Sequence, residues 1–290
     1  LTRQTAKLVA ALAALDADVI GLTEIETWAG ANAVNALVSA LNTAVGAETY
    51  AAVADPAGFP YERDVIKVAL IYKTASVTPL GASMVDADAI YSRPPVAQTF
   101  KANTGNDVFS VVVNHLKSKG SCPDPDVDPN VDPDNLDTGQ GCWNALRIQQ
   151  ATQLLTFIET IQTNTSDPDV LVIGDLNAYG EEDPVDVLTG GGLINLMAVH
   201  VPAAERYSYV FDGQAGYLDH ALATSALAGQ VTDSAFWHIN ADEPSHIDYN
   251  TEYKDPDLYA AHFFRGSDHD PVLVGLNLDT PQDSLTSEDY

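Results

Sequence analysis

One pattern occurs twice in this chain, and it limits the folds open to it. Each copy runs from a helical stretch through a short acidic turn into apolar residues that end on a carboxylate. The first copy is Asp18-Val19-Ile20-Gly21-Leu22-Thr23-Glu24 and the second is Asp169-Val170-Leu171-Val172-Ile173-Gly174-Asp175, with the same interval from first to last residue. A strand that is apolar on both faces must be covered on both, by helices or by another sheet. A carboxylate at the C-terminal end of such a strand emerges where α/β sheets bind their ligands. The helices that feed these strands are read from spacing: Leu8, Leu12 and Leu15 before the first, and Leu146, Ala151, Leu154, Leu155 and Ile158 within 144–161 before the second. A further helix is expected over 31–41, and further strands over 65–72, 107–116, 207–211, 218–223 and 271–278.

Polar chemistry collects at the ends of these strands: Glu24, Asn114, His115, Asp175, Asn177, Asp219, Asp268 and His269. There is no glycine-rich phosphate loop, no Gly-x-Ser-x-Gly elbow and no His-Glu-x-x-His helix, and the two cysteines lack zinc-site spacing. The remaining donors are rich in oxygen and hard, which suits Mg²⁺, Mn²⁺ or Ca²⁺ better than zinc. Histidines beside such an ion can move protons near neutral pH. An amide such as that of Asn177 can donate to a phosphate oxygen. The set points to phosphoester hydrolysis.

Charge narrows the partners. With 41 acidic against 13 basic side chains the formal net charge is −28, which excludes a polyanion binder built on bulk positive charge. Phosphate chemistry must then rest on cations or on a local basic site. Lys117 and Lys119, a tight lysine pair in an acid-rich chain, follow His115 and favour a functional reading of that histidine; Arg93, stiffened by two following prolines, and Arg147 are further candidates for a substrate backbone. His220 alternates with Asp219 and should face the other way, and His200, His238, His246 and His262 read as structural. No apolar run is long enough for a membrane helix. Cys122 and Cys142 bracket a Pro/Asp/Gly-rich insert over 120–142, either as a disulfide suited to an oxidising compartment or as two buried thiols. The alternating aspartates from Asp124 to Asp134 read either as a structural Ca²⁺ loop or as a solvated insert stiffened by proline. The expectation is one domain over 1–278 and a tail over 279–290. No signal peptide is visible ahead of the first helix.

Seven segments taken together resemble the endonuclease/exonuclease/phosphatase superfamily, whose fold is that of pancreatic deoxyribonuclease, and most closely its bacterial extracellular nuclease branch. They are Ala17 to Glu24; Ser92-Arg93-Pro94-Pro95 with Gln98-Thr99-Phe100; Asn114 to Gly120; Gly141-Cys142-Trp143-Asn144 leading to Arg147; Gly174-Asp175-Leu176-Asn177; Gly216 to His220; and Ser267-Asp268-His269-Asp270-Pro271. The resemblance implies an α/β four-layer sandwich, with two mostly antiparallel sheets packed face to face and helices outside. It implies that Glu24 and Asp268 hold Mg²⁺ or Mn²⁺, and that Asp175 and Asn177 orient water and hold phosphate. His269, steadied by Asp219, would act as general base or transition-state donor, with His115 on phosphate or the leaving group; whether Asp175 or His269 takes the proton of water stays open. Arg93, Asn114, Lys117, Lys119 and Arg147 would contact substrate. Family members open with a strand ending in asparagine ahead of the first helix; its absence here implies an open sheet edge and one metal ligand fewer. The expected protein is a secreted bacterial monomer that hydrolyses DNA, or RNA, away from membranes. The alternatives are a phosphatase or phospholipid-type phosphodiesterase on the same fold, and a non-catalytic module stabilised by calcium.

Overall fold

Thirteen strands and six α-helices follow one another in the computed structural model, which describes residues 1–27, 32–105 and 107–278. In chain order they are α1 (Thr2–Leu15), β1 (Val19–Glu26), α2 (Ala33–Val45), β2 (Tyr50–Ala52), β3 (Ile66–Lys73), β4 (Val77–Val85), β5 (Val96–Ala102) and β6 (Val108–His115). Then come α3 (Asn144–Thr165), β7 (Val170–Asp175), α4 (Asp183–Gly190), β8 (Leu193–Asn195), α5 (Leu196–His200), β9 (Tyr209–Phe211) and β10 (Gln214–Gly216). The chain closes with β11 (Asp219–Thr224), α6 (Ser225–Ala228), β12 (Val231–Phe236) and β13 (Val272–Leu276). Ala31, at the start of the helix expected over 31–41, and the tail over 279–290 lie outside the described residues.

The main sheet has six strands in the order β4-β5-β6-β7-β11-β8. It is mixed: β6 and β7 run parallel and their neighbours antiparallel. A parallel pair cannot be joined by a hairpin and needs a long crossover, which the acidic insert and α3 provide. Residues alternate across each strand. Phe109, Val111, Val113, Leu171, Ile173, Ala221 and Ala223 face inward onto Val68, Leu70 and Phe236, forming the central core. Val112, Val170, Val172 and Leu222 face outward onto Leu154, Ile158 and Ile161 of α3 and Val185 and Leu188 of α4. A third cluster joins Leu12 of α1 and Val34, Val38 and Leu41 of α2 to Ile20, Ala69 and Ile71.

Helices therefore lie outside sheets on both sides of a central core, but the second sheet differs from the expected one. Among the described residues it comes in two pieces, β1-β3-β2 and β12-β13, and β9-β10 forms a separate hairpin. Each of β1 and β13 has a single strand partner there. Where β1 crosses the main sheet, Gly21 is required by space: a Cβ there would stand 2.7 Å from Ile173 Cδ1 and 2.8 Å from Val113 Cγ2.

The two cysteines are joined as the disulfide Cys122–Cys142. The spacing of the insert's aspartates has a local explanation. Asp124, Asp128 and Asp132 each accept the backbone N–H two residues on, at 2.9, 3.0 and 3.0 Å, so each closes its own turn. Among the described residues no three acidic, histidine or cysteine side chains are grouped to hold an ion, here or elsewhere. The disulfide closes a loop with a sequence separation of 20, for which chain entropy gives about 3 kcal/mol. Reduction, or the double variant C122S/C142S, is expected to lower the melting temperature by several degrees and to open the insert to proteolysis, read by calorimetry and limited digestion.

Candidate active site

Strand register builds the site. His115 ends β6, Asp175 ends β7 and Asp219 begins β11; the ladder pairs His115 with Asp175 and Asp175 with Asp219, so the three stand in one row across the sheet. They continue the inward-facing series of their strands and emerge at the edge of the central core. His115 Nε2 lies 3.4 Å from Asp175 Oδ2.

A fourth group reaches this row from the far end of the chain. His269 Nδ1 bonds Asp219 Oδ2 at 2.7 Å, which leaves its Nε2 turned away from the carboxylate. The loop that carries His269 is pinned from both sides. Asp270 Oδ1 accepts the backbone N–H groups of Ile239, Asn240 and Ala241, at 3.0, 2.7 and 3.0 Å, and its Oδ2 meets His238 Nδ1 at 3.0 Å. Asn240 donates through Nδ2 to the His269 carbonyl at 2.6 Å and accepts the Gly266 N–H at 2.9 Å. Ser208 Oγ donates to Asp219 Oδ2 at 2.7 Å, fixing the carboxylate that fixes the histidine.

Asp175 is held by the residue expected to work with it. Asn177 has a left-handed backbone (φ 48°), which folds the chain back so that its N–H and Nδ2 reach the two Asp175 oxygens at 2.7 and 3.0 Å. Asn177 Nδ2 also donates to the Leu116 carbonyl at 3.1 Å.

Electrostatics separates these groups into distinct protonation states. Burial pushes the Asp175 carboxyl up to about 7, with Asp219 adding repulsion, against the opposing charge of His269 and the Asn177 N–H. For His269 burial opposes the charged ring, but the Asp219 carboxylate outweighs it by charge and hydrogen bond, and Asp175 and Asp268 add to this, raising the ring to about 10. Burial, then Arg93 and His269, push His115 down to about 3, so it is a neutral imidazole, and its buried Nδ1 has no hydrogen-bond partner among the described residues. One histidine is thus charged and the other neutral, on either side of a carboxyl that titrates near neutrality. Such separation is what acid–base work requires.

The remaining expected residues fall into three groups. The charges of Glu24 and Asp268 both act on the phenols of Tyr209 and Tyr249, and Asp268, next to His269 in the chain, also acts on that ring. Glu24 has φ 57° at the bulge where β1 and β3 lose register, between Leu22 and Ile25. Arg93 is buried behind the row; its guanidinium donates to the carbonyls of His115 and Leu116, and it feels the charges of Asp64, Asp175 and Glu24. Lys117 lies nearby, its Nζ 5.0 Å from the Trp143 ring centroid.

Three residues expected to contact substrate are placed otherwise. Asn114 is one residue out of phase with His115, so it belongs to the outward face, where it is fully buried with Nδ2 3.4 Å from the Val112 and Ile173 carbonyls. Arg147 is also fully buried, donating to the carbonyls of Cys142, Gln140 and Lys117 at 2.6, 2.9 and 3.2 Å. It ties the insert to the start of α3. Lys119 is paired with the Glu182 carboxylate and donates to the Gln140 carbonyl at 2.6 Å. Sequence reading also missed Ser208, Tyr209 and Asp270. A lone serine between two tyrosines, and an acidic residue fixed directly after Asp268-His269, were the available signals.

A family model described as Endonuclease/Exonuclease/phosphatase family matches residues 1–269. The chain belongs to that family. It is therefore a phosphoesterase, and the row of His115, Asp175, Asp219 and His269 is its candidate catalytic centre. Solved structures agree on the fold. A mannosyl-6-phosphatase from Bacteroides thetaiotaomicron aligns with TM-score 0.63 and 14% identity, over 95% of this chain and 91% of that one. The D. rerio TDP2 complexed with single strand DNA product aligns with TM-score 0.55 and 14% identity, over 94% and 90%. The catalytic domain of human Nocturnin aligns with TM-score 0.54 and 16% identity, over 81% and 77%. No curated protein matches the chain in sequence. The resemblances in structure establish architecture and leave the substrate to be argued from the site.

Proposed function

We propose that this family member is an exported, divalent-metal-dependent phosphodiesterase of the extracellular nuclease type, cutting DNA or RNA by in-line attack of water. The observation that carries the reading is the Asp219–His269 pair, bonded at 2.7 Å and standing beside the His115–Asp175 pair in one row. Asp219 fixes which nitrogen of His269 faces the reaction. Near neutral pH Asp175 is the group able to take up the proton lost by the attacking water, and the charged His269 can donate one; His269 could accept it only after giving up its own proton. Asn177 steadies Asp175, and the neutral His115, whose Nδ1 has no hydrogen-bond partner among the described residues, can donate to or accept from a phosphate oxygen. Export is supported by the disulfide, which persists in oxidising compartments.

The donors fit a hard cation of small size. Glu24 and Asp268 are two carboxylates whose charges act on the same pair of phenols. Mg²⁺ is commonly held by one or two carboxylates, with water and substrate phosphate completing its shell, and two carboxylates are too few for an all-protein cage. When bound, Mg²⁺ or Mn²⁺ would supply positive charge to the non-bridging oxygens in a protein of net charge −28.

The direct test is nicking of supercoiled plasmid and digestion of RNA, with mannose 6-phosphate as a monoester control. Nicking in Mg²⁺ that falls at least about a hundredfold in chelator and returns with Mg²⁺ is expected, an effect of the size that loss of a metal's charge stabilisation entails. Monoester hydrolysis without nicking would replace the nuclease with a phosphatase.

A further inference from the structure

We propose that Tyr209 and Phe211 form a stacking platform for a nucleobase next to the scissile phosphate, and so select base-bearing substrates over ring-free phosphoesters. The proposal rests on the phosphodiesterase reading above and narrows its substrate. Tyr209 and Phe211 are two residues apart on β9 and share a face. Their rings are nearly parallel, 13° between planes, with centroids 6.4 Å apart. The Tyr209 ring in turn lies 4.6 Å from that of His269. Three rings therefore lead outward from the catalytic row, and the last of them, Phe211, is 64% exposed.

The rings are held on a rigid support. β9 and β10 are joined through Asp212 and Gly213, both with positive φ (48° and 75°), the mark of a tight two-residue hairpin turn. Opposite Tyr209 in the ladder is Gly216, over which the Tyr179 ring packs; a Cβ there would come within 2.7 Å of it. The charge of Asp175 acts on the phenols of both Tyr179 and Tyr209.

Charge favours such a platform. Lys119 and Arg147, which would have gripped a phosphate backbone, are engaged by Glu182 and by loop carbonyls. With two of the four basic candidates so engaged, a strand of nucleic acid that approaches a net charge of −28 gains from contacts that do not depend on cations. Stacking is such a contact, and it tolerates sequence because every base has a π-face. Core packing does not account for Phe211, which is absent from all three apolar clusters.

The test uses the whole chain with Mg²⁺ and two single-stranded oligonucleotides of equal length, one with normal bases and one with abasic residues. Wild type should cleave the base-bearing strand with about tenfold higher kcat/KM, mainly through KM. In Phe211→Ala the two substrates should become equal, and Phe211→Trp should restore the preference. Because Phe211 is exposed, the alanine variant should keep its far-UV spectrum and melting temperature. A preference unchanged in Phe211→Ala overturns the proposal. Cleavage of neither oligonucleotide by wild type overturns the nuclease reading instead. The platform is then judged by fluorescence anisotropy of the labelled base-bearing strand: affinity about tenfold weaker in Phe211→Ala supports it, and equal affinity overturns it.

Discussion

His269→Ala is expected to lower kcat on a phosphodiester by roughly 10²–10⁴-fold, the range that a positioned acid or base supplies, with little change in KM. The argument is local. His269 is half-buried, and its ring is oriented by a 2.7 Å bond from Nδ1 to Asp219, which leaves the opposite nitrogen turned away from that carboxylate. The Asp219 carboxylate keeps a second partner in Ser208 at 2.7 Å, so the variant removes the ring without stranding the acid. The fold should survive, and near-UV circular dichroism checks this. A substrate with a good leaving group divides the two roles open to His269. If the ring donates to the departing oxygen, the loss should shrink on bis(p-nitrophenyl) phosphate; if it accepts the proton of water, the loss should be the same on both substrates. Asp219→Asn should reproduce part of the defect, because the amide no longer favours the charged ring that now sits near 10. Full activity in His269→Ala would remove this row as the catalytic centre.

How much of this was legible in the sequence depends on how local each cause is. The repeated run ending at Glu24 and Asp175 was readable because a doubly covered strand must be apolar throughout, and a carboxylate ending it stands out. β7 was accordingly expected over 169–175 and lies at Val170–Asp175. β4 was missed because it is an edge strand containing Pro79 and Gly81, with residues such as Leu80 exposed, and so carries no clean alternation. β12 was missed for a similar reason: Thr232, Asp233 and Ala235 are exposed, and only Ser234 and Phe236 are buried. Within the site, Asn114 and His115 looked equivalent as neighbours. The pleat sends them to opposite faces, and only the register with Asp175 says which one matters. The fate of Lys119 depended on Glu182, 63 residues away, and nothing in the basic cluster itself announced that partner. Ser208, Tyr209 and Asp270 act through contacts to segments 11 to 60 or so residues distant, which periodicity does not report.

Asp175→Asn is expected to lose activity and gain stability together. The carboxyl is buried and stands beside Asp219, and both facts favour its protonated form; its ordinary value of 3.8 rises to about 7 in the folded protein. Between those two values the native state keeps a proton that the unfolded chain releases. Stability therefore falls as pH rises through this window, and the cost is fully present above about 7. Removing the charge leaves Asp219 and His269 as a neutral pair and relieves that cost. Urea unfolding at pH 8 should show the variant more stable than wild type by roughly 1–3 kcal/mol. At pH 4.5 the difference should be much smaller, and it should vanish only below about 3.8. Activity should fall at least roughly a hundredfold, as when one fixed group is lost from a transition state. The opposite stability result, a variant weaker than wild type at pH 8, would mean that His269 and the Asn177 donors hold the ionised carboxylate more firmly than burial opposes it. In that case Asp175 is a structural ion-pair partner. The expected result makes it a strained group kept for chemistry, because a protein selected only to fold would have replaced it.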